Sequence, residues 1–213
     1  MRKVILFCTM VLAVAGCAET PPHYSYPPPS AAPMAPQPAR PAPVYVAPTP
    51  PPRSVKPLGM GALTAKNVGG YMDGEERELR ADLRRSGVGI SRPGDEITLY
   101  LRNDILFAPN SQNLTARAAQ ILSAIAAVLA KYDSTLLTVN GYSDTAVAPD
   151  RAIALSQEHA AAVAQALKDV GIDARRIVTH GLGATHLKIP TGPNVGERRN
   201  RRVEILIEPR MAG

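Results

Sequence analysis

Cys17 has chemistry that folding alone does not explain. Its thiol follows Val14-Ala15-Gly16, and the only other cysteine in the 213 residues is Cys8. Thiols serve as nucleophiles or metal ligands, or accept an acyl group. Ser143, Asp144, Ser156 and His159 hold the residue types of a nucleophilic triad. No nucleophile elbow or oxyanion loop accompanies them, so an enzyme is not expected. His159, His180 and His186 lack the tight spacing of a metal site, and no cysteine follows Cys17 to complete one. Neither a metal nor a cofactor is expected. Arg198, Arg199, Arg201 and Arg202 form a basic run without interleaved aromatics, which does not describe a nucleic-acid surface.

The residues before Cys17 give its thiol a role. Arg2 and Lys3 lead an apolar run from Val4 to Ala15. The run is shorter than the roughly 20 residues that span a bilayer, so it reads as a cleaved signal peptide, residues 1–16. Val14-Ala15-Gly16-Cys17 resembles a bacterial lipobox. That motif implies diacylation of Cys17 through sulfur, cleavage before it and acylation of the new amine. The competing reading is an ordinary signal whose small residues happen to precede a cysteine. One acyl chain gives ~0.8 kcal/mol per buried methylene and holds a protein marginally, whereas two or more anchor it stably. Ala18 follows, not the aspartate that favours inner-membrane retention in enteric bacteria, so the outer membrane is the expected destination. A single lipid-blocked cysteine would leave no disulfide.

Beyond the cysteine the composition changes. Fifteen of the 21 prolines lie between Pro21 and Pro57. Such a stretch has no apolar period with which to bury a core, and favours extended polyproline II. Residues 17–57 are therefore expected to be a lipidated, disordered tether, read chiefly as a passive spacer. Residues 58–86 read as a bridge and a charged helix, and residues 87–213 as the main domain. The formal charge of +6 becomes +4 once Arg2 and Lys3 are removed, which is no strong argument for nucleic acid.

The elements that would position the remaining chemistry follow from periodicity. Asp73 with Glu76 reads as a capping-box start of the charged helix, with Leu79 and Leu83 on one face and Gly87 as its stop. Ile97, Leu99 and Leu101 alternate as a half-buried strand, and Pro93-Gly94 predicts a hairpin turn before it. Leu114, Ala118, Ile121, Leu122, Ile125, Val128 and Leu129 recur at helical spacing. "TLLTVNG" predicts a buried strand. A second long helix is predicted from about Ala152 to Val170, with Ile153, Ala160, Val163, Leu167 and Val170 inward. "RIVTHG" and "RRVEILIE" complete an order of strand, helix, strand, helix, strand, strand. That order predicts an α+β sandwich, a mixed β-sheet with two long helices on one face, preceded by a helix and a β-hairpin.

"ILFAPNSQNL", "VNGYSD", "ALSQEHAAAV", "ALKDVGIDARRIVTHGLG" and "NRRVEI" occur in the order and spacing of OmpA-like peptidoglycan-binding domains. The resemblance runs roughly from Tyr71 to Glu208. "YMDGEERELR" and "GVGISRPGDEITLYL" further resemble the lead-in of lipoproteins related to the peptidoglycan-associated lipoprotein. The resemblance implies an outer-membrane lipoprotein that grips the diaminopimelate of the peptidoglycan stem peptide without breaking a covalent bond. In that family an aspartate at the end of the second strand meets the ammonium, and an arginine on the following helix meets a carboxylate.

Asp144 stands at the aspartate position and His159 at the arginine position. Val147 replaces a loop glycine and Ala152 an asparagine. A neutral imidazole offers no bidentate fork for a carboxylate, and Asp144 would raise its pKa if it lies close. Asn200, Arg201 and Arg202 match the family pattern, whereas Gly196 or Glu197 falls where many relatives carry arginine. Arg198 and Arg199 could compensate, or could form a solvated turn. Two functional readings follow: a weakened or repurposed ligand pocket, or a fold that docks with proteins of a secretion or conjugation complex. In the bland reading Asp144 caps its loop and His159 lies on a helix surface.

Overall fold

Five strands make one sheet, ordered β1-β2-β5-β3-β4, and the candidate residues of its loops gather at one end of the inner strands. The computed structural model describes residues 63–109 and 111–211. The signal segment, Cys17, the proline-rich stretch and the start of the bridge lie outside the described residues.

Helix α1 (Val68–Asp82) precedes β1 (Gly89–Ser91) and β2 (Ile97–Arg102). These strands form the expected antiparallel hairpin, with Gly94 at φ 68° in its turn. A four-residue helix, α2 (Asn103–Leu106), leads towards α3 (Ala116–Lys131). The Thr115 hydroxyl caps α3 by accepting from the Ala118 N–H at 3.0 Å. Then come β3 (Thr135–Tyr142), α4 (Pro149–Asp169), β4 (Ile177–Gly181) and β5 (Arg202–Pro209). Strands β3 and β4 are parallel, and β5 runs antiparallel to both β2 and β3.

Period-two alternation turns Ile97, Leu99, Leu101, Leu137, Val139, Val203, Ile205 and Ile207 into one core. Helices α3 and α4 add Ile121, Leu122, Ile125, Leu129, Val163 and Leu167 to the same cluster. The expected α+β arrangement is what the chain adopts. Tyr71, Met72, Leu79 and Leu83 carry α1 into this core as well. No helix among the described residues is long and apolar enough to cross a membrane.

Three local expectations need correction. Helix α1 begins at Val68, more than a turn before Asp73, so no capping box forms there. Asp73 instead pairs with Arg92 beside the hairpin turn. Ile153 is exposed while Ala152 is fully buried, because α4 begins at Pro149 and lies with a different face to the sheet. The strand "TLLTVNG" is buried on one face only; Leu136 and Val178 lie exposed on the other.

Two buried charged residues organise the far end of the domain. Arg176 donates to the carbonyls of Leu129, Tyr132 and Thr135, and to the Thr135 hydroxyl, at 2.8–3.0 Å. This satisfies carbonyls at the end of α3 that the helix cannot. Glu75, on the buried face of α1, is fully buried with both carboxylate oxygens lacking a hydrogen-bond partner. Desolvation pushes its pKa up to about 8, against the opposing pull of Arg176.

Candidate functional site

Strand register brings distant residues together. Tyr142 of β3 pairs with Arg202 of β5, and Arg202 pairs with Arg102 of β2. Because β5 is antiparallel to both neighbours, the residues following β3 and β2 meet those preceding β5. Asp144, Asn103, Asp104 and the turn from Glu197 to Arg201 thus share one end of the sheet.

Asp144 is 2% exposed. Its Oδ1 accepts from the Ala146 N–H at 3.2 Å, and Oδ2 from the Glu197 N–H at 3.0 Å. Arg201 Nη1 donates to the same Oδ2. The bond to Ala146 is the loop cap of the bland reading, but Glu197 and Arg201 come from more than 50 residues away. The Arg201 side chain is 38% exposed, so one edge of its guanidinium meets the carboxylate while much of the rest faces water.

Thr145 ties down the long loop opposite. Its hydroxyl donates to the carbonyls of Gly192 at 2.7 Å and Val195 at 3.1 Å, and its own carbonyl accepts from the Asn194 N–H. Asn200 is buried with its amide engaged by the backbone of Ile189, donating at 2.9 Å and accepting at 2.8 Å. Arg202 is also buried. It donates to Glu204, Asn200 and His186, and its guanidinium carbon lies 3.8 Å from the centre of the Tyr142 ring. Asn200 and Arg202 therefore brace the loop and strand start, leaving Arg201 as the half-exposed member of the triplet.

His159 is the forkless neutral ring its residue type suggests, but it does not lie on the helix surface and Asp144 does not raise its pKa. It lies 8% exposed on α4, its ring 4.3 Å from that of Phe107, with Nδ1 3.1 Å from the Asn103 amide nitrogen. Burial lowers its pKa, opposed by Glu158. The residue is thus a neutral, stacked ring and not a helix-surface imidazolium raised by Asp144. Val147 is 37% exposed and does not occupy the left-handed backbone region, so replacing glycine there imposes no strain of that kind. Ala152 lies on the buried face of α4, fully removed from solvent.

Some participants were not singled out from sequence. Asn103 and Phe107 contact His159, although "ILFAPNSQNL" had flagged the segment holding Phe107. Asp104 accepts a two-point contact from Arg102 at 2.7 and 2.9 Å and a further bond from Arg198 at 2.6 Å. These arginines hold its carboxyl below the usual range. The Ser143 hydroxyl and the Asn103 amide oxygen are buried without hydrogen-bond partners. His180 and His186 are exposed, and no acidic, cysteine and histidine grouping among the described residues could hold a metal.

The arrangement can bind a cation at a buried carboxylate and an anion at half-exposed guanidinium groups, and both lie at the same sheet end. The chain matches the OmpA family over residues 106–201. It is 40% identical over 164 residues to "Probable lipoprotein YiaD" of Escherichia coli (strain K12), covering 73% of this chain and 75% of that protein. It is 31% identical over 103 residues to "Peptidoglycan-binding protein ArfA" of Mycobacterium bovis, covering 48% of this chain and 32% of that protein. The fold superposes with a TM-score of 0.54 on a solved cell wall anchor of the T6SS from Pseudomonas aeruginosa, at 30% identity, covering 62% of this chain and 95% of the other.

Proposed function

Since the chain belongs to the OmpA family, we propose that it is an envelope lipoprotein whose folded domain grips the peptidoglycan stem peptide non-covalently. The observation that carries this reading is Asp144, a buried carboxylate inside the matched segment, at the meeting point of β3, β5 and the Glu197 turn. An ammonium group of the ligand would replace the Arg201 guanidinium on Oδ2, so a cation is exchanged and the carboxylate is never left bare. Its similarity to a probable lipoprotein and to a peptidoglycan-binding protein supports this reading.

The proposed organisation has Cys17 as the acylated anchor in the outer membrane, residues 17–57 as the tether and the folded domain in the periplasm. At ~3.1 Å per residue, a fully extended tether of this length would reach on the order of 120 Å. A lipid at one end and a wall-binding domain at the other would couple membrane to wall.

Sedimentation of the full chain with purified peptidoglycan tests the grip. The wild type is expected to pellet with the wall, and Asp144→Asn to weaken that association by about tenfold or more, as expected for losing a hydrogen-bonded charge. Co-sedimentation by neither protein would overturn the wall-binding reading. It would favour docking within an envelope complex.

A further inference from the structure

A cavity of about 270 Å³ is lined by Arg102, Glu197, Arg198 and Arg199. Glu197 also donates its backbone N–H to Asp144, so the cavity adjoins the carboxylate proposed to take the ammonium. Its charges do not cancel. Asp104 is shared between Arg102 and Arg198, while Arg199 makes a two-point contact with Glu197 at 2.9 and 3.1 Å. Three guanidinium groups thus face two carboxylates. The side chains of Arg102, Arg198 and Arg199 are 55%, 71% and 61% exposed, so an incoming anion can reach them without their being pulled from a core.

Resting on the wall-binding reading, we propose that this arginine cavity is the carboxylate seat of the ligand site, with Arg198 and Arg199 supplying the bidentate contact. His159 cannot supply it, being neutral, buried and stacked on Phe107. The ligand class is an amino acid presenting an ammonium and a carboxylate on one carbon: the ammonium goes to Asp144 and the carboxylate to the surplus guanidinium charge. A surface pair costs little to rearrange, because its net contribution to stability is small. A ligand carboxylate can therefore compete with Asp104 or Glu197 for these arginines. The cation seat is buried and the anion seat is wet, which makes the second more sensitive to salt.

Calorimetric titration of the full chain with two soluble probes tests the assignment. One is the tripeptide L-alanyl-γ-D-glutamyl-meso-diaminopimelate, and the other is the same peptide with the diaminopimelate side-chain carboxyl amidated. Wild type is expected to favour the free carboxylate by about tenfold or more. Arg198→Gln with Arg199→Gln should bind both probes equally, at the level at which wild type binds the amide. Asp144→Asn should lose both. Retention of the carboxylate preference by the double variant would overturn the arginine seat while leaving Asp144 in place. No binding by wild type, or none lost in Asp144→Asn, would overturn the wall-binding reading itself. Both arginines are exposed, so the double variant is expected to keep the wild-type circular dichroism spectrum.

Discussion

Gly141→Ala is expected to unseat α4 and to lower the stability of the domain by about 3 kcal/mol or more, the upper range for overpacking. Gly141 lies on the buried side of β3, and its register partner on β4 is Gly181. A Cβ at Gly141 would overlap the carbonyl oxygen of Ser156 and lie 2.7 Å from its carbonyl carbon. At Gly181 a Cβ would lie 2.6 Å from the Gln157 backbone nitrogen and 2.7 Å from the Ile153 carbonyl oxygen. Two glycines on adjacent strands thus make a flat seat for the Ile153–Gln157 stretch of α4. Backbone meets backbone here, so no side-chain rotation relieves the clash.

The seat is reinforced by Ser156, whose hydroxyl donates to the Ile153 carbonyl and accepts from the Gly183 N–H, both at 2.9 Å. Displacing α4 would move His159 off Phe107 and disturb the strand end from which Asp144 projects. Thermal unfolding would show a fall of about 10 °C, at 2–4 °C per kcal/mol for a domain of this size. Gly192→Ala is the matched control, since a Cβ there meets nothing within 4 Å. Equal melting temperatures for the two variants would refute the glycine seat.

Glu75→Gln is expected to act in the opposite direction, and only over a defined pH range. The folded-state pKa is raised from 4.5 to about 8, so between these values the folded protein retains a proton that the unfolded chain has released. Stability therefore falls as pH rises through that window and levels off above about 8. At full ionisation the cost is on the order of 5 kcal/mol, at 1.36 kcal/mol per pKa unit. Glutamine keeps the shape of the protonated acid and cannot ionise, so the variant should gain about that much at pH 8.5 and little at pH 4.5. Denaturant midpoints measured across pH 5 to 8 decide the matter. Parallel curves for wild type and variant would show that Glu75 ionises normally in the fold.

The acidic side of the profile has the opposite sign. Lys131 and Tyr132 hold the Glu78 carboxyl below its usual range, and Arg102 and Arg198 do the same for Asp104. The stability these pairs supply is present above the ordinary carboxylate pKa and is lost as pH falls through their lowered values. Maximum stability is accordingly expected near pH 5, where Glu75 is protonated and the exposed pairs remain ionised.

Repeating local patterns were legible without coordinates. Alternation at Ile97, Leu99 and Leu101, helical spacing from Ala118 to Leu129, and the Pro93-Gly94 turn all follow from the preferences of a few consecutive residues. The same local signals, together with the order of "VNGYSD" and "NRRVEI", carried the family and the α+β sheet. Position along the chain also singled out Asp144 as a candidate. It could not show that Arg201, 57 residues later, lies against that carboxylate, because the contact exists only through the antiparallel register of β3 and β5.

Burial was decided by tertiary packing in the same way. Ile153 and Ala152 are neighbours in a helix, and the rotation of α4 on its glycine seat chose the alanine for the core. His159 had the letter of a titrating surface group, yet stacking on Phe107 made it a neutral core ring. Glu75 read as one charge among many in a polar helix, until the fold turned it towards Arg176 and removed its water. Sequence determines such features when they depend on neighbours along the chain. Charge state, ion pairing and exposure depend on neighbours in space, and those are assigned only when sheet register and helix seating are in place.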